Sequence, residues 1–446
     1  MNLLDFILNR WHLSANKEKI VRNLFWAVVG KVVNMLGALL VGILVARYLG
    51  PEQYGTMNYV ICYVALFQVF AYFGLDDIEI REEAGNAEEV EQIIGTAFVI
   101  KLGLALVSFI LIVAFVFLTK SDPYIQWIII LYAFSVFFNT LGVIRNYFTS
   151  IVWNEYIVKT EISRTLIGAL IKLVLVLFHA SLTWFVAATL FDTVLLSTGY
   201  AVAYRKKIGR MSRWTFNWEK ARFLLKQGFP LLLSGAAIVV YQRIDQLMIG
   251  DMIDKASVGY FSVAVRFVEV FLFIPVILTQ TIVPILVKIR KTDEKGYMEK
   301  AQLFMDITVW LCIFLSVVIS MIAYPLVTLT FGKAYLPAVA VLQILAFKMI
   351  GMSLSQTSGQ MIIIEKKQKY VVFRNIAGCV VCVGLNLILI PRYGICGSAV
   401  VTIVTVLVSG WLVHLLIPSY RKYFVYQVNA LLFGWRSIFH IKKLLR

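Results

Sequence analysis

Long apolar stretches follow one another along nearly the whole chain, and each one is long enough to cross a bilayer as a helix. A bilayer core about 30 Å thick needs about 20 apolar helical residues. Short polar segments separate the stretches and mark the expected helix ends. The pattern predicts spans at residues 22–48, 54–75, 92–118, 125–148, 161–180, 184–204, 227–250, 257–287, 303–330, 337–364, 371–391 and 396–418.

The composition supports a membrane protein. Of the 446 residues, 60% are hydrophobic and only 15% are charged. A soluble chain of this length would expose far more polar surface. We therefore predict an all-α polytopic membrane protein with about twelve transmembrane helices.

Both ends of the chain differ from the spans. Residues 1–21 mix apolar and charged positions, as an in-plane interfacial segment does. Because charged residues precede the first long apolar run, we expect that run to stay as an anchor and not to be cleaved as a signal peptide. The tail at 419–446 is basic and aromatic, and we expect it to lie on the inner membrane face because its apolar core is short and interrupted.

The formal charge of +17 is concentrated in alternate loops. Residues 205–226, 288–300 and 366–374 are rich in Lys and Arg, whereas the intervening loops carry about one basic residue each. The positive-inside rule therefore places both termini in the cytoplasm, and it explains the charge without nucleic acid. The acidic segment 76–91 falls on the same side, where we expect a solvated loop.

The longest basic loop divides the spans into two sets of six. We predict an N-lobe at 22–204, a basic cytoplasmic linker at 205–226 and a C-lobe at 227–418. Because both sets start in the cytoplasm, the lobes form a parallel repeat related by a pseudo-two-fold axis along the membrane normal. We expect the substrate path to run between the lobes.

Cationic side chains within the spans are the most informative chemistry. Each would cost about 2.5–3.5 kcal/mol if it faced lipid at mid-bilayer, so most need a wet cavity or a partner. Arg266 can pair with Glu269, three residues away on one helix, whereas Asp245 and Arg243 should face different sides. Snorkelling or interhelical pairing is the alternative for any one of these cations, with Lys101 and Arg145 as the candidates for snorkelling. The cations in spans are Lys31, Lys101, Lys172, Arg243, Arg266 and Lys348, against the acids Asp192, Asp245, Glu269 and Asp306.

These cations predict a positively charged cavity for an anionic cargo. Lys31, Lys172 and Lys348 have no obvious local partner, and Asn34 shares a helix face with Lys31. The sequence contains no G-x-x-x-x-G-K-[ST] and no HExxH motif, and its four His are scattered. We therefore expect neither a nucleotide-driven pump nor an enzyme, and no cofactor. Cys379 and Cys382 form a lone CxxC, which indicates helix packing more than metal binding.

Three motifs then identify a family resemblance. RYLGPEQYG at 47–55, RIDQLMIG at 243–250 with VGYFSVAVR at 258–266, and NLILIPRYGICGSAV at 386–400 occur in order at matching spans. They resemble the polysaccharide-type (Wzx-like) flippases of the multidrug/oligosaccharidyl-lipid/polysaccharide (MOP) exporter superfamily. The resemblance covers residues from about 20 to 420. It implies a MATE-like fold of two lobes that alternates access.

The same resemblance implies a cargo and a location. The cargo would be a polyprenyl-diphosphate-linked oligosaccharide, moved from the cytoplasmic to the outer leaflet of a bacterial inner membrane. Polysaccharide polymerases and glycosyltransferases would be partners, in O-antigen, capsule or exopolysaccharide assembly. The expected substrate-binding residues are Arg243, Lys348, Lys31, Lys172, Asn34 and Arg266.

Other functions of the same chain stay open. A multidrug antiporter of this fold would need carboxylates in its cavity, where the sequence places mainly cations. A membrane-embedded glycan polymerase or transferase would need a catalytic motif in a large outer loop, and the predicted outer loops are short. The lipid II flippases of the superfamily usually carry two further helices that this chain lacks.

Overall fold

The computed structural model describes residues 15–440, except the side chains at 15–29, 31, 32, 87 and 438–440. The predicted in-plane segment therefore lies outside the described residues through residue 14. All regular secondary structure within the described range is helical, which confirms the predicted all-α class.

Seventeen α-helices are numbered here in chain order, joined by short 3₁₀ turns and, at Val408–Leu412, one turn of π-helix. In the described range they are α1 Ala15–Tyr72, α2 Asp76–Gly85, α3 Val90–Thr119, α4 Pro123–Ala133, α5 Ser135–Phe138, α6 Gly142–Ser150, α7 Asn154–Leu177, α8 Leu182–Lys207, α9 Trp218–Met252, α10 Lys255–Phe271, α11 Phe273–Arg290, α12 Glu294–Thr330, α13 Pro337–Leu345, α14 Lys348–Ile364, α15 Val371–Leu407, α16 Val413–Leu416 and α17 Arg421–Phe433.

Nine helical segments of the described chain are long and apolar enough to cross a membrane. Two of them, Val33–Gly85 and Gln368–Leu416, exceed one crossing in length and are interrupted by Gly50 and Gly394, whose positive φ angles are not helical. The 24-residue α7 is not among the nine segments, and it carries Lys159, Glu161, Arg164 and Lys172. The protein is thus a multi-pass membrane protein, and twelve crossings stay a prediction.

Two compact units divide the helices. The first comprises Met1–Gly42 with Phe67–Leu232, and the second comprises Ile43–Leu66 with Leu233–Arg446. The end of the first predicted span and the start of the second thus pack with the C-terminal half of the chain. The predicted linker 205–226 belongs wholly to the first unit.

The first unit has a core of apolar side chains around α2, α3, α6 and α8. Ile78, Ile94, Phe148, Tyr204 and Leu224 are all buried in it. Leu224 brings the first turns of α9 onto this core. The core therefore fixes both the acidic segment 76–91 and the end of the linker.

The first part of the acidic segment, α2, is not the solvated loop that we expected, whereas the described side chains from 84 to 91 are mostly exposed. Glu79 is fully buried, and Lys101 Nζ lies 2.7 Å from Glu79 Oε1 and 2.6 Å from Asp76 Oδ1. Asn146 donates to both carboxylates, at 2.7 Å and 2.9 Å. A buried charge needs such partners, so Lys101 pairs within the unit and does not snorkel.

In the second unit, α1 crosses α10 with their backbones in close contact. A Cβ added at Gly55 would lie 1.7 Å from the carbonyl oxygen of Lys255, and one at Gly259 would lie 2.2 Å from that of Pro51. Only glycine permits such an approach of two backbones. Gly55 of the motif RYLGPEQYG and Gly259 of the motif VGYFSVAVR thus lie at the same helix crossing.

Side-chain contacts surround this crossing. Tyr59 donates to Asp251 Oδ1 at 2.7 Å, and Tyr335 donates to the carbonyl oxygen of Ala46 at 2.8 Å. Arg47 donates to the carbonyl oxygen of Leu329 at 2.6 Å. The segment 43–66 is therefore bonded to several helices of the second unit.

The tail helix α17 packs on α12 and α14 of the same unit. Gln427 is fully buried and donates to the carbonyl oxygens of Gly410 and Leu354 at 2.7 Å and 3.1 Å. Trp310 donates to the carbonyl oxygen of Ala430 at 2.9 Å. The tail is thus an integral part of the unit as far as the structure describes it.

Glu365 binds the start of α17 to the loop that follows α14. It pairs with Lys422, accepts from Tyr423 at 2.7 Å and lies 3.5 Å from Arg290. Burial alone would raise the pKa of the Glu365 carboxyl, but hydrogen bonds from Lys422, Tyr423 and Lys367 hold the pKa below its ordinary value. The ion pairs therefore persist at neutral pH, and acid would weaken them.

Candidate functional site

A small charged cavity lies inside the second unit. Its volume is about 100 Å³, and four charged side chains line it: Arg243, Asp245, Glu269 and Lys348. The first two come from α9, Glu269 comes from the end of α10, and Lys348 is the first residue of α14. Contrary to the expectation from their spacing, Arg243 and Asp245 both reach this cavity.

Asp245 is held by neutral hydrogen-bond donors. Its Oδ1 accepts from Asn386 Nδ2 at 2.6 Å and from Cys382 Sγ at 3.3 Å, and its Oδ2 accepts from Thr402 Oγ1 at 2.6 Å. The residue is only 3% exposed. Three donors therefore surround one buried carboxylate, and none of the three is a cation. Cys382 of the CxxC pair thus has a hydrogen-bonding role in this site.

Arg243 and Lys348 are available for a ligand. Both line the cavity and neither forms a close ion pair within the described part of the chain, although Arg243 contacts the thiol of Cys62 and Lys348 lies near Asp245 and Glu269. Asp245 and Glu269 match them in number, so the cavity wall itself is formally neutral and not positive as we expected. What distinguishes the cations is that neutral donors already bind the carboxylate of Asp245, whereas neither cation is closely paired with an acid in the described chain.

The other predicted binding residues have different surroundings. Lys172 has no partner on its own helix, but it is paired with Asp192 across α7 and α8. Asn34 donates to Glu161 at 2.9 Å and accepts from Thr165 at 2.6 Å, within the first unit. The Lys31 side chain lies outside the described residues.

Arg266 also departs from the expected geometry. It is half-buried and does not form a close ion pair with Glu269 in the described chain, although the two are three residues apart on α10. Glu269 instead lines the cavity with Arg243 and Lys348. The direction of the Glu269 side chain, toward the cavity, therefore prevents the pair with Arg266 that the spacing on one helix predicted.

Sequence reasoning missed a second polar cluster, which lies in the first unit around Glu161. This carboxylate accepts from Asn34 and, at 3.2 Å, from Tyr200, and it lies 3.7 Å from Arg145 Nε. Arg164 lies one turn further along α7, and its Nε is buried without a partner in the described chain. The signal for this cluster was the pair Glu161 and Arg164 at the start of the predicted span 161–180, which we did not include among the charged residues of the spans.

The fold and the charged cavity define a multi-pass membrane protein with a transporter architecture. The family profile described as polysaccharide biosynthesis protein matches residues 20–290, which is more than half of the chain. The chain belongs to this polysaccharide biosynthesis family of the MOP superfamily, which confirms the resemblance of its motifs. No curated protein matches the chain in sequence.

Solved structures with the same fold come from two branches of transport proteins. The chain is similar to the lipid II flippase MurJ in an inward closed conformation, with a TM-score of 0.67, 15% identity and 92% of each chain covered. It is also similar to a multidrug resistance MATE family transporter of the MOP superfamily. The inward-facing form gives a TM-score of 0.64 at 16% identity and covers 92% of this chain and 96% of the other.

The outward-facing MATE structure is similar as well, with a TM-score of 0.61, 14% identity, and coverage of 96% of this chain and 97% of the other. Identities this low concern the fold alone. They confirm the predicted MATE-like, all-α membrane fold. They do not identify a cargo.

Proposed function

We propose that this protein is a flippase that moves polyprenyl-diphosphate-linked oligosaccharide units from the cytoplasmic to the outer leaflet of a bacterial inner membrane. The observation that carries the proposal is the pair Arg243 and Lys348, two cations that share one cavity inside an apolar helical protein and form no close ion pair in the described chain. Leaving such charges buried is costly unless a ligand uses them. Membership of the polysaccharide biosynthesis family supports a glycan cargo.

The two cations suit a diphosphate in different ways. The Arg243 guanidinium can hold two phosphate oxygens at once, whereas the Lys348 ammonium acts as a point charge. We propose that these residues contact the diphosphate first and that Lys31 and Arg266 have secondary roles. Because Lys172 and Asn34 already have partners, they would support the structure of the first unit.

Membrane potential is a sufficient driving force for this direction. Moving one negative charge out of a cell with a negative interior gains about 2.3 kcal/mol per 100 mV. A diphosphate cargo would therefore be exported without nucleotide. This direction requires both termini to lie in the cytoplasm, as the distribution of Lys and Arg predicts.

A multidrug antiporter is the second candidate, because Asp245 and Glu269 line the same cavity and could attract a cation. The hydrogen bonds of Asp245 count against it, since three neutral donors already occupy that carboxylate. The two candidates differ in which charges matter. A flippase needs Arg243 and Lys348, whereas an antiporter needs the acids.

Complementation of a strain lacking the gene separates the candidates. We expect the deletion to remove a surface glycan and to accumulate its lipid-linked intermediate. Arg243→Ala and Lys348→Ala should fail to restore export at normal protein level, Lys348→Arg should restore much of it, and Arg243→Lys should restore less. The exposed Lys295→Ala is the matched control and should behave as wild type. Normal export by both alanine variants would refute the proposed role of the cations.

A further inference from the structure

The linker between the predicted lobes carries a surface that the transport path does not use. We propose that this surface, which we name the basic–aromatic face, binds the anionic phospholipid headgroups of the leaflet next to it. It consists of Arg205, Lys206, Lys207, Arg210, Phe216, Trp218, Arg222, Phe223, Lys226 and Phe229, all of which are exposed.

The first three turns of α9 have two opposite faces. Ala221 and Leu224 are each 2% exposed and pack into the first unit. Trp218, Arg222 and Lys226 recur at every fourth position and point away from that core, with Trp218 71% exposed. The outer face of this helix therefore presents aromatic and cationic groups together.

The face is held in a fixed place. Lys220 pairs with Glu89, and Arg213 lies 3.9 Å from Glu91, so the acidic segment after α2 anchors the linker. Asn217 N donates to Thr96 Oγ1 at 3.1 Å, which ties the linker to α3. These contacts use two basic residues of the linker. Within the basic–aromatic face, Lys207 also lies over the ring of Tyr156 and Phe229 contacts Phe73, while both stay exposed.

The position of the linker along the chain keeps this face near the membrane. Only residues 208–217 separate α8 and α9, and both helices are candidate spans. A connection this short cannot move far from the bilayer surface. The basic–aromatic face is thus at the level of the lipid headgroups, and this holds for either orientation of the chain in the membrane.

The chemistry of the face fits a lipid surface better than a soluble partner. Glu219 is the one acid among residues 205–229, so the local charge is strongly positive. Lys and Arg near a membrane attract anionic lipids, and Trp and Phe insert at the headgroup level. Phe216 and Trp218 lie side by side, with ring centroids 5.9 Å apart. The positive-inside rule accounts for the basic residues, and the four exposed aromatic rings beside them suit the headgroup level of a bilayer.

An environment-sensitive dye tests the proposal on the full chain. The dye is placed at Thr215→Cys, which is exposed beside Phe216 and leaves the face intact. The protein is reconstituted in nanodiscs of phosphatidylcholine alone or of phosphatidylcholine with phosphatidylglycerol. The wild-type chain, labelled in parallel, gives the background from its own cysteines, and Lys295→Cys is the matched exposed control.

We expect a blue-shifted, brighter emission from position 215 in the anionic discs and a loss of that shift in about 0.5 M salt, where charges are screened within a few ångströms. Changing Lys206, Lys207, Arg210 and Arg222 together to Gln should abolish the shift while the melting temperature in neutral discs stays unchanged. Water-like emission in both discs would overturn the proposal and leave the face for a soluble partner. An equal blue shift in both discs would overturn it too, because anionic headgroups would then contribute nothing.

Discussion

Lys101 shows at the residue scale how this protein stabilises a charge inside an apolar helix. It is 1% exposed and is bound by Asp76 and Glu79. Lys101→Met removes the shared cation and leaves two carboxylates facing each other. We expect the free energy of unfolding to fall by about 3–5 kcal/mol, as it does for other buried ion pairs that lose one partner.

A thermal unfolding experiment in detergent checks this expectation. The melting temperature of Lys101→Met should fall by several degrees, whereas that of the exposed control Lys295→Met should not change. Adding Glu79→Gln to Lys101→Met should recover part of the loss, because one of the unbalanced charges is removed. An unchanged melting temperature for the single variant would mean that the carboxylates take up protons at little cost.

The sequence indicated which residues carry charge within the spans but not which residues they contact. Lys172 meets Asp192, and Lys101 meets Asp76, at separations of 20 and 25 residues along the chain. No helical spacing marks such pairs, because they depend on how neighbouring helices rotate. The one pair that spacing did predict, Arg266 with Glu269, does not form.

At the scale of elements, the crossing of α1 and α10 depends on two glycines. A Cβ at Gly55 would collide with the Lys255 carbonyl oxygen, a backbone atom that cannot rotate away. We therefore expect Gly55→Ala to force the helices apart and to lower the melting temperature. Gly103→Ala is the matched control, since an added Cβ there meets nothing within 4 Å.

The control should be neutral or slightly stabilising, by up to about 1 kcal/mol, because Ala favours a helix over Gly. Melting curves of both variants, recorded side by side, check the prediction. If the melting temperature of Gly55→Ala equalled those of Gly103→Ala and the wild type, the close approach of α1 and α10 would not contribute to stability.

Most helices were predictable because their apolar stretches match the thickness of a bilayer. The predicted span 92–118 corresponds to α3, and 184–204 lies within α8. Loops were predicted at residues 49–53 and 392–395. The structure instead has one long helix through each region, interrupted only at Gly50 and at Gly394, because the chain turns there within one or two residues. The helix α2 was not predicted because its run of acidic residues is typical of a polar loop. Its carboxylates in fact bind Lys101 and Asn146.

At the scale of the whole molecule, the amino-acid pattern predicted the class and the family, and the site was predicted in part. Arg243 and Lys348 were chosen for being cations in apolar spans, and the structure brings both to one cavity. The hydrogen bonds of Asp245 come from α15, on both sides of its break at Gly394, which is distant in sequence, so no motif could reveal them. The orientation of the chain in the membrane rests on its Lys and Arg distribution and stays a prediction.

The central claim is that Arg243 and Lys348 carry a diphosphate-linked glycan across the bilayer. Flipping by the purified protein in liposomes, with a fluorescent polyprenyl-diphosphate oligosaccharide, tests this claim most directly. Each lost charge-assisted contact is worth about 1.5–3 kcal/mol, or about 10- to 100-fold. We predict that Arg243→Gln and Lys348→Gln each lower the flipping rate at least tenfold with an unchanged melting temperature, while Lys295→Gln flips as wild type. Flipping at the wild-type rate by both cavity variants would contradict the account.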